Sequence, residues 1–262
     1  MMKKLPTLLL VLLLPLLSLA QSRVNASEIL DKINRGEAVT YRNAAIVGDL
    51  NMTKLRNMKR KSGGNGSNEY LSTVTVPLTF VNCSFKGDVL AYNNSGNNSS
   101  SFFSSSSNEV YNTNFEREVR FENCSFEQES AFKYSEFKGG ASFAGSRFAN
   151  EALFKYSGFA RLADFRNVRF GSDANFKYVE FPVLANFSRA AFAGEANFKY
   201  TKFNRGVSFQ QAVFEDLANF KYAKLSAPIN IKGAAFKGDD DFKYTQLNNQ
   251  SVTLTGLLQN NN

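Results

Sequence analysis

The 22 residues FKYSGFARLADFRNVRFGSDAN, numbered 154–175, decide the fold, because the chain restates their pattern on either side at a fixed interval. The tripeptide Phe-Lys-Tyr begins at Phe132, Phe154, Phe176, Phe198, Phe220 and Phe242, every 22 residues. Within a unit, large apolar residues recur in steps of five and six, from Phe132 to Phe137, Phe143, Phe148 and Phe154. Later units continue it with Phe159, Phe165, Phe170; Phe181, Phe187, Phe192; Phe203, Phe209, Phe214; and Leu225, Ile231, Phe236. A helix would place large residues at i, i+3, i+4 and i+7, and a plain strand at every second position, so neither explains the pattern. Steps of about five suit a coil of four short sides, each sending one large residue inward, with successive coils stacked. An 11-residue turn would align Phe-Lys-Tyr only on alternate turns, so the expected coil is 22 residues.

Ala163-Asp164-Phe165, Ala174-Asn175-Phe176, Ala185-Asn186-Phe187, Ala196-Asn197-Phe198 and Ala218-Asn219-Phe220 resemble the unit Ala-(Asp/Asn)-(Leu/Phe)-X-X of the pentapeptide-repeat family. The resemblance is clear over residues 75–250 and faint over 38–55. It implies an all-β fold, a right-handed quadrilateral β-helix in which the central Phe and the small residue two before it point inward. A coil of 22 departs from the family's usual 20, which predicts an extra residue bulged out on two of the four sides.

Residues 1–20 carry Lys3 and Lys4, an apolar run from Leu8 to Leu17, and Ser18 and Ala20 ahead of Gln21. That pattern reads as a cleavable secretory signal. The run is short for a span of ~20 residues, so no membrane span is expected after cleavage, and the expected location is periplasmic or extracellular. Removing Lys3 and Lys4 takes the formal charge from +8 to +6.

The rest divides into an N-terminal cap over 21–38, a β-helix over 39–250 and a C-terminal cap with polar tail over 251–262. In the first cap, Asn25 to Arg35 reads as a short helix, with Asn25 capping the amide of Glu28, an apolar stripe of Ile29, Leu30 and Ile33, and Gly36 as its stop. Such a helix would cover the unpaired first rung. Tyr41, Ile46 and Met52 then take up the 5–6 step. Flexible insertions are expected at about 54–70, basic and then Gly-rich, and at about 91–109, almost all Asn, Ser and Gly. Residues 80–85 match 121–126 at a distance of 41 rather than 22, so 19 residues must loop out between Phe85 and Val110. The same alignment stacks Cys83 over Cys124 at the inward small position. Rungs ~4.8 Å apart fall within the range a disulfide accepts, whereas interior cysteines are also ordinary small core residues; both readings stay open. At the other end, residues 248–258 read as the cap of the last rung; alternatively Leu257 and Leu258 pack a second subunit, since end-to-end dimers are common in the family the chain resembles.

Twenty-six Phe with neither His nor Trp suits a solenoid that repeats one core position. Burying each ring is worth roughly 1.5–3 kcal/mol, an upper estimate. With Phe132 and its equivalents inside, the two residues that follow each point outward. Lys133, Lys155, Lys177, Lys199, Lys221 and Lys243 then form one column, and Tyr134, Tyr156, Tyr178, Tyr200, Tyr222 and Tyr244 the next. Ammonium groups stacked ~4.8 Å apart repel by about 1 kcal/mol in water. One reading is a ladder for an anionic cell-envelope polymer or a protein partner, with tyrosine faces on which rings or sugars stack. The other is structural: stacked rings hold the face and lysines keep it solvated.

Enzyme readings are poor. The chain has no His for base or triad work and no Gly-rich phosphate loop. Asp239-Asp240-Asp241 could bind a cation in the manner of β-helical polysaccharide lyases, but two Cys and no His do not make a metal site. No cofactor is expected. Within the family the chain resembles, some cytosolic members mimic duplex DNA and shield DNA gyrase. That role needs an acidic face and a cytoplasmic address, so nucleic-acid mimicry and nucleic-acid binding are not expected of a basic, exported chain. The expectation is an exported, non-catalytic structural or binding scaffold, with a lyase-like enzyme as the alternative.

Overall fold

The computed structural model describes residues 21–61, 68–94 and 109–259. The expected signal at 1–20, the centres of both insertions and the last three residues lie outside them. The described chain is a right-handed, four-sided β-helix of eight stacked coils.

Each side is three residues long and reads in, out, in. In one coil the sides are Ala152-Leu153-Phe154, Ser157-Gly158-Phe159, Ala163-Asp164-Phe165 and Val168-Arg169-Phe170. We number them first to fourth. Equivalent sides pair in parallel one coil on, as Ala152 with Ala174 and Ala163 with Ala185, in register at 22 residues. The extra residues of the 22-residue coil lie at corners rather than on sides. Two corners have two residues, Lys155-Tyr156 and Arg166-Asn167, and two have three, Ala160-Arg161-Leu162 and Gly171-Ser172-Asp173.

The core is four columns of rings. Phe154 and Phe176 lie directly one above the other, with centroids 5.0 Å apart and planes within 1°. Neighbouring columns meet edge to face, as Phe154 on Phe165 at 5.4 Å and 84°. Both geometries suit the aromatic quadrupole. Several buried hydroxyls on the second side reach carbonyls of the coil below at 2.7 Å, Ser157 that of Phe132, Thr201 that of Phe176 and Thr245 that of Phe220, whereas the Ser135 hydroxyl is buried without a partner among the described residues. Towards the C-terminus, Leu225 and Ile231 replace Phe and leave an apolar void of about 10 Å³ beside Leu257. It is no larger than one water, so it holds no internal ligand.

The N-terminal cap has two parts. Strand Ser22–Asn25 pairs in parallel with Ala44–Val47, and helix Ala26–Arg35 follows, burying Ala26, Ile29 and Ile33. Asn25 stands at the N-cap, but its amide group donates to the Glu28 carboxylate at 3.1 Å instead of accepting from the backbone. Gly36 ends the helix at φ +76°, a left-handed position that suits glycine. At the far end, Gln250–Ser251 folds back antiparallel on Gln246–Leu247, and the helix Leu254–Gln259 buries Leu257 over the last coil.

Both insertions leave from the corner that carries Lys-Tyr in later coils, and their flanks form paired strands. Lys59–Arg60 pairs antiparallel with Asn68–Val74, and Tyr92–Asn94 with Glu109–Phe115. The two long strands pair with each other in parallel, 41 residues out of step. Together they extend the second side past the coil. Composition misses these stems because their ordering residues, Tyr70 and Tyr111, are sparse; the two rings stack at 4.9 Å.

Candidate functional site

The Phe-Lys-Tyr corner is a tight turn. Phe154 closes the first side pointing inward, Lys155 leads out, and Tyr156 takes a left-handed backbone at φ +62° that returns the chain to Ser157. The turn is held by Ser157 N donating to Phe154 O at 3.0 Å, and each Tyr amide from Tyr134 to Tyr222 donates to the next coil's lysine carbonyl, Tyr156 to Lys177 at 3.0 Å. All six tyrosines are left-handed, with φ between +59° and +63°. For a bulky residue that conformation costs about 1–2 kcal/mol.

The tyrosines form one continuous stack. Successive centroids from Tyr134 to Tyr244 are 5.0, 4.7, 4.7, 4.8 and 4.7 Å apart. Between Tyr134 and Tyr222 the planes agree within 4°. This corrects one expectation: along the stack the ring faces are spent on each other and are not free for a sugar, apart from the outer face of Tyr244 at its end. The ladder presents phenol edges and hydroxyls. Tyr92, in the second insertion, covers the first ring at 6.0 Å, and Tyr244 ends the stack at 56 % exposure.

The lysines lie half-buried along the stack, except Lys243 at its end, which is exposed. Their ammonium groups sit 4.9 to 5.5 Å from the centroid of the following tyrosine in Lys133, Lys155, Lys177, Lys199 and Lys243. Contact with the rings offsets part of the repulsion within the column. Lys133 also donates to the Tyr92 hydroxyl at 3.2 Å, and Lys221 reaches Asp241 at 3.7 Å. Among the described residues, Lys155, Lys177 and Lys199 have no carboxylate within 4 Å. Burial, then the charges of Lys177 and Lys133, push the Lys155 ammonium down from its ordinary value.

Asn175, Asn197 and Asn219, on the first side beside this column, do turn work. Their side-chain oxygens accept from Lys177, Lys199 and Lys221 amides at 3.3, 3.2 and 3.3 Å.

Cys83 and Cys124 lie in successive coils, buried, with free thiols. Each faces carbonyl oxygens, Cys83 that of Val81 at 3.5 Å and Cys124 that of Phe80 at 3.4 Å. The hydrogen bond to Cys83, together with burial, pushes the Cys124 thiol up. The acidic triplet is not drawn into a site. Asp240 pairs in register with the inward Ala218 but is exposed, because the coil is the last. Among the described residues, no three His, Cys, Asp or Glu are grouped to hold a metal, and no helix is long and apolar enough to cross a membrane.

No curated protein and no solved structure matches the chain. A family model does, described as pentapeptide repeats in nine copies, over residues 111–158 and 154–202. Those residues hold four of the six Phe-Lys-Tyr corners. With the ring columns and the 22-residue register, that match identifies residues 111–202 as a member of the pentapeptide-repeat family, a scaffold fold suited to structural and binding roles.

Proposed function

We propose that this is an exported, non-catalytic scaffold whose Lys/Tyr ladder binds a linear anionic polymer of the cell envelope or its surroundings. The observation that carries the reading is a comparison of two corners with one geometry. Opposite the first five Lys-Tyr corners is another two-residue turn, also left-handed at its second residue: Gly145, Asn167, Arg189, Gln211 and Gly233 have φ between +56° and +70°. The backbone therefore accepts many residues there, and the preceding positions, Ala144, Arg166, Ser188, Gln210 and Lys232, are just as varied. At the first corner Lys-Tyr recurs in all six coils that carry no insertion there, with tyrosine poorly suited to the conformation. Stacking accounts for the rings. It does not account for six lysines that repel one another.

An in-line row of ammonium groups and phenol hydroxyls, spaced at ~4.8 Å, fits a chain carrying regularly spaced anions. The basic balance and the signal-like residues 1–20 favour an extracytoplasmic glycan over nucleic acid as the source of those anions. The test is retention of the mature protein on immobilised heparin. Replacing all six ladder lysines by Gln is expected to abolish it while the circular dichroism spectrum stays unchanged. Undiminished retention of the folded variant rejects the reading in favour of a purely structural ladder.

A further inference from the structure

The ladder is uniform in its lysines and tyrosines but not in what stands on their far side. The outward residue of the second side, two after each tyrosine, is Glu136, Gly158, Glu180, Lys202, Lys224 and Gln246 in turn. The stack is therefore bordered differently in its two halves. From Tyr134 to Tyr178 it has Lys133, Lys155 and Lys177 on one flank and Glu136 and Glu180 on the other. From Tyr200 to Tyr244 it has Lys199, Lys221 and Lys243 on one flank and Lys202 and Lys224 on the other. The first half has three lysines against two glutamates; the second has five lysines with no acid on that flank.

The first half is also partly closed. The Glu136 carboxylate lies across Gly158, so near that a Cβ there would come within 2.2 Å of it. Lys133 is held by the Tyr92 hydroxyl. Among the described residues two loose pairs intervene in the second half, the exposed Lys202 with Glu180 at 3.5 Å and the partly buried Lys221 with Asp241 at 3.7 Å. An exposed pair such as the first is worth little and yields readily to a competing anion, and the second is long, at 3.7 Å. The end of the stack supplies a second element. Tyr244 is 56 % exposed against 36 to 41 % for Tyr134, Tyr156, Tyr178 and Tyr222, and no further ring of the described residues stacks beyond it.

Resting on the proposed polymer-binding role, we infer that the binding site is confined to the C-terminal half of the ladder, and that its ligand is an anionic polysaccharide. Lys199, Lys202, Lys221 and Lys224 form a two-row cradle for its acidic groups astride Tyr200 and Tyr222. Tyr244 is the platform on which a sugar ring seats. Lys202 and Lys224, outside the Phe-Lys-Tyr motif, are then the residues that determine where the chain lies.

Two variants that lose the same charge separate the possibilities. K199Q/K221Q/K224Q is expected to lose about tenfold or more in affinity for a heparin oligosaccharide, whereas K133Q/K155Q/K177Q stays near wild type. Equal losses in both overturn the cradle and leave the ladder reading standing; no loss in either overturns both. Tyr244→Ala supplies the arm for ligand class. It is expected to weaken heparin binding and to leave binding of inorganic polyphosphate, which has no ring, unchanged. Equal loss with both probes, or with neither, overturns the polysaccharide assignment.

Discussion

Tyr156 and Tyr178 stack with centroids 4.7 Å apart and planes within 4°, although the backbone of each is left-handed. The ladder therefore sets ring contact against backbone strain, and single substitutions separate the two. Tyr178→Ala removes contacts with two rings, each worth about 0.5–1.5 kcal/mol, and keeps the strain, so it should lower stability by about 1–3 kcal/mol. Tyr178→Gly loses the same contacts but relieves about 1 kcal/mol of strain. Urea unfolding midpoints should thus rank wild type above Gly and Gly above Ala. Ala equal to or above Gly would show that the left-handed turn carries no cost.

A pH effect follows from Asp164, on the outward row of the third side. Burial pushes its carboxyl up, against the hydrogen bond from the Arg166 amide and the Arg166 charge. An acid whose folded value is raised binds its proton more tightly in the folded state. Its ionisation therefore costs stability as pH climbs from the unfolded value through the folded one. One and three coils further along this row, Asn186 and Asn230 accept the equivalent turn amide at 3.0 and 3.1 Å, so Asp164→Asn keeps the hydrogen bond without the charge. Thermal unfolding should show the variant more stable than wild type at pH 7, with the gap closing below the carboxylate range. A gap of constant size across pH would rule out ionisation as its cause.

The N-terminal helix is expected to protect the first coil from other chains. Ile29 and Ile33 are buried against that coil. Placing Glu at both would lift the helix and expose an unpaired strand edge. Light scattering of the double variant should report concentration-dependent association at temperatures where wild type stays monodisperse. A variant that stays dispersed while losing helix signal would assign the protection elsewhere.

Buried thiols make a chemical prediction. As free thiols with little access to solvent, Cys83 and Cys124 should react negligibly with iodoacetamide in the folded protein and fully after denaturation, as read by peptide mass spectrometry. Reaction after denaturation only when a reductant is also present would instead show the two joined.

Much of the core was legible because one inward position per side admits a large residue, and Phe fills it with steps that match neither helix nor strand. The surface was only half legible. Sequence places Lys177 and Tyr178 outward, but not the direction of the ring: a left-handed backbone repeated every 4.7 Å turns each tyrosine flat against the next and removes the faces a ligand was expected to use. The tripeptide also drew attention away from its own flank. Lys202 and Lys224 lie only two residues beyond a tyrosine, and they stand out only when Glu136, Gly158 and Glu180 are seen in the same row. The strand Ser22–Asn25 has no period of its own, since its pairing partner, Ala44–Val47, supplies the order.

The corner-borne extra residues leave every side the same length, so one 22-residue unit is interchangeable with its neighbours. A gene that gains or loses such a unit lengthens or shortens the rod by a single rung and returns the chain to the same point in space. Size is thereby uncoupled from shape, and reach along a bound partner becomes a quantity that heredity can adjust by counting.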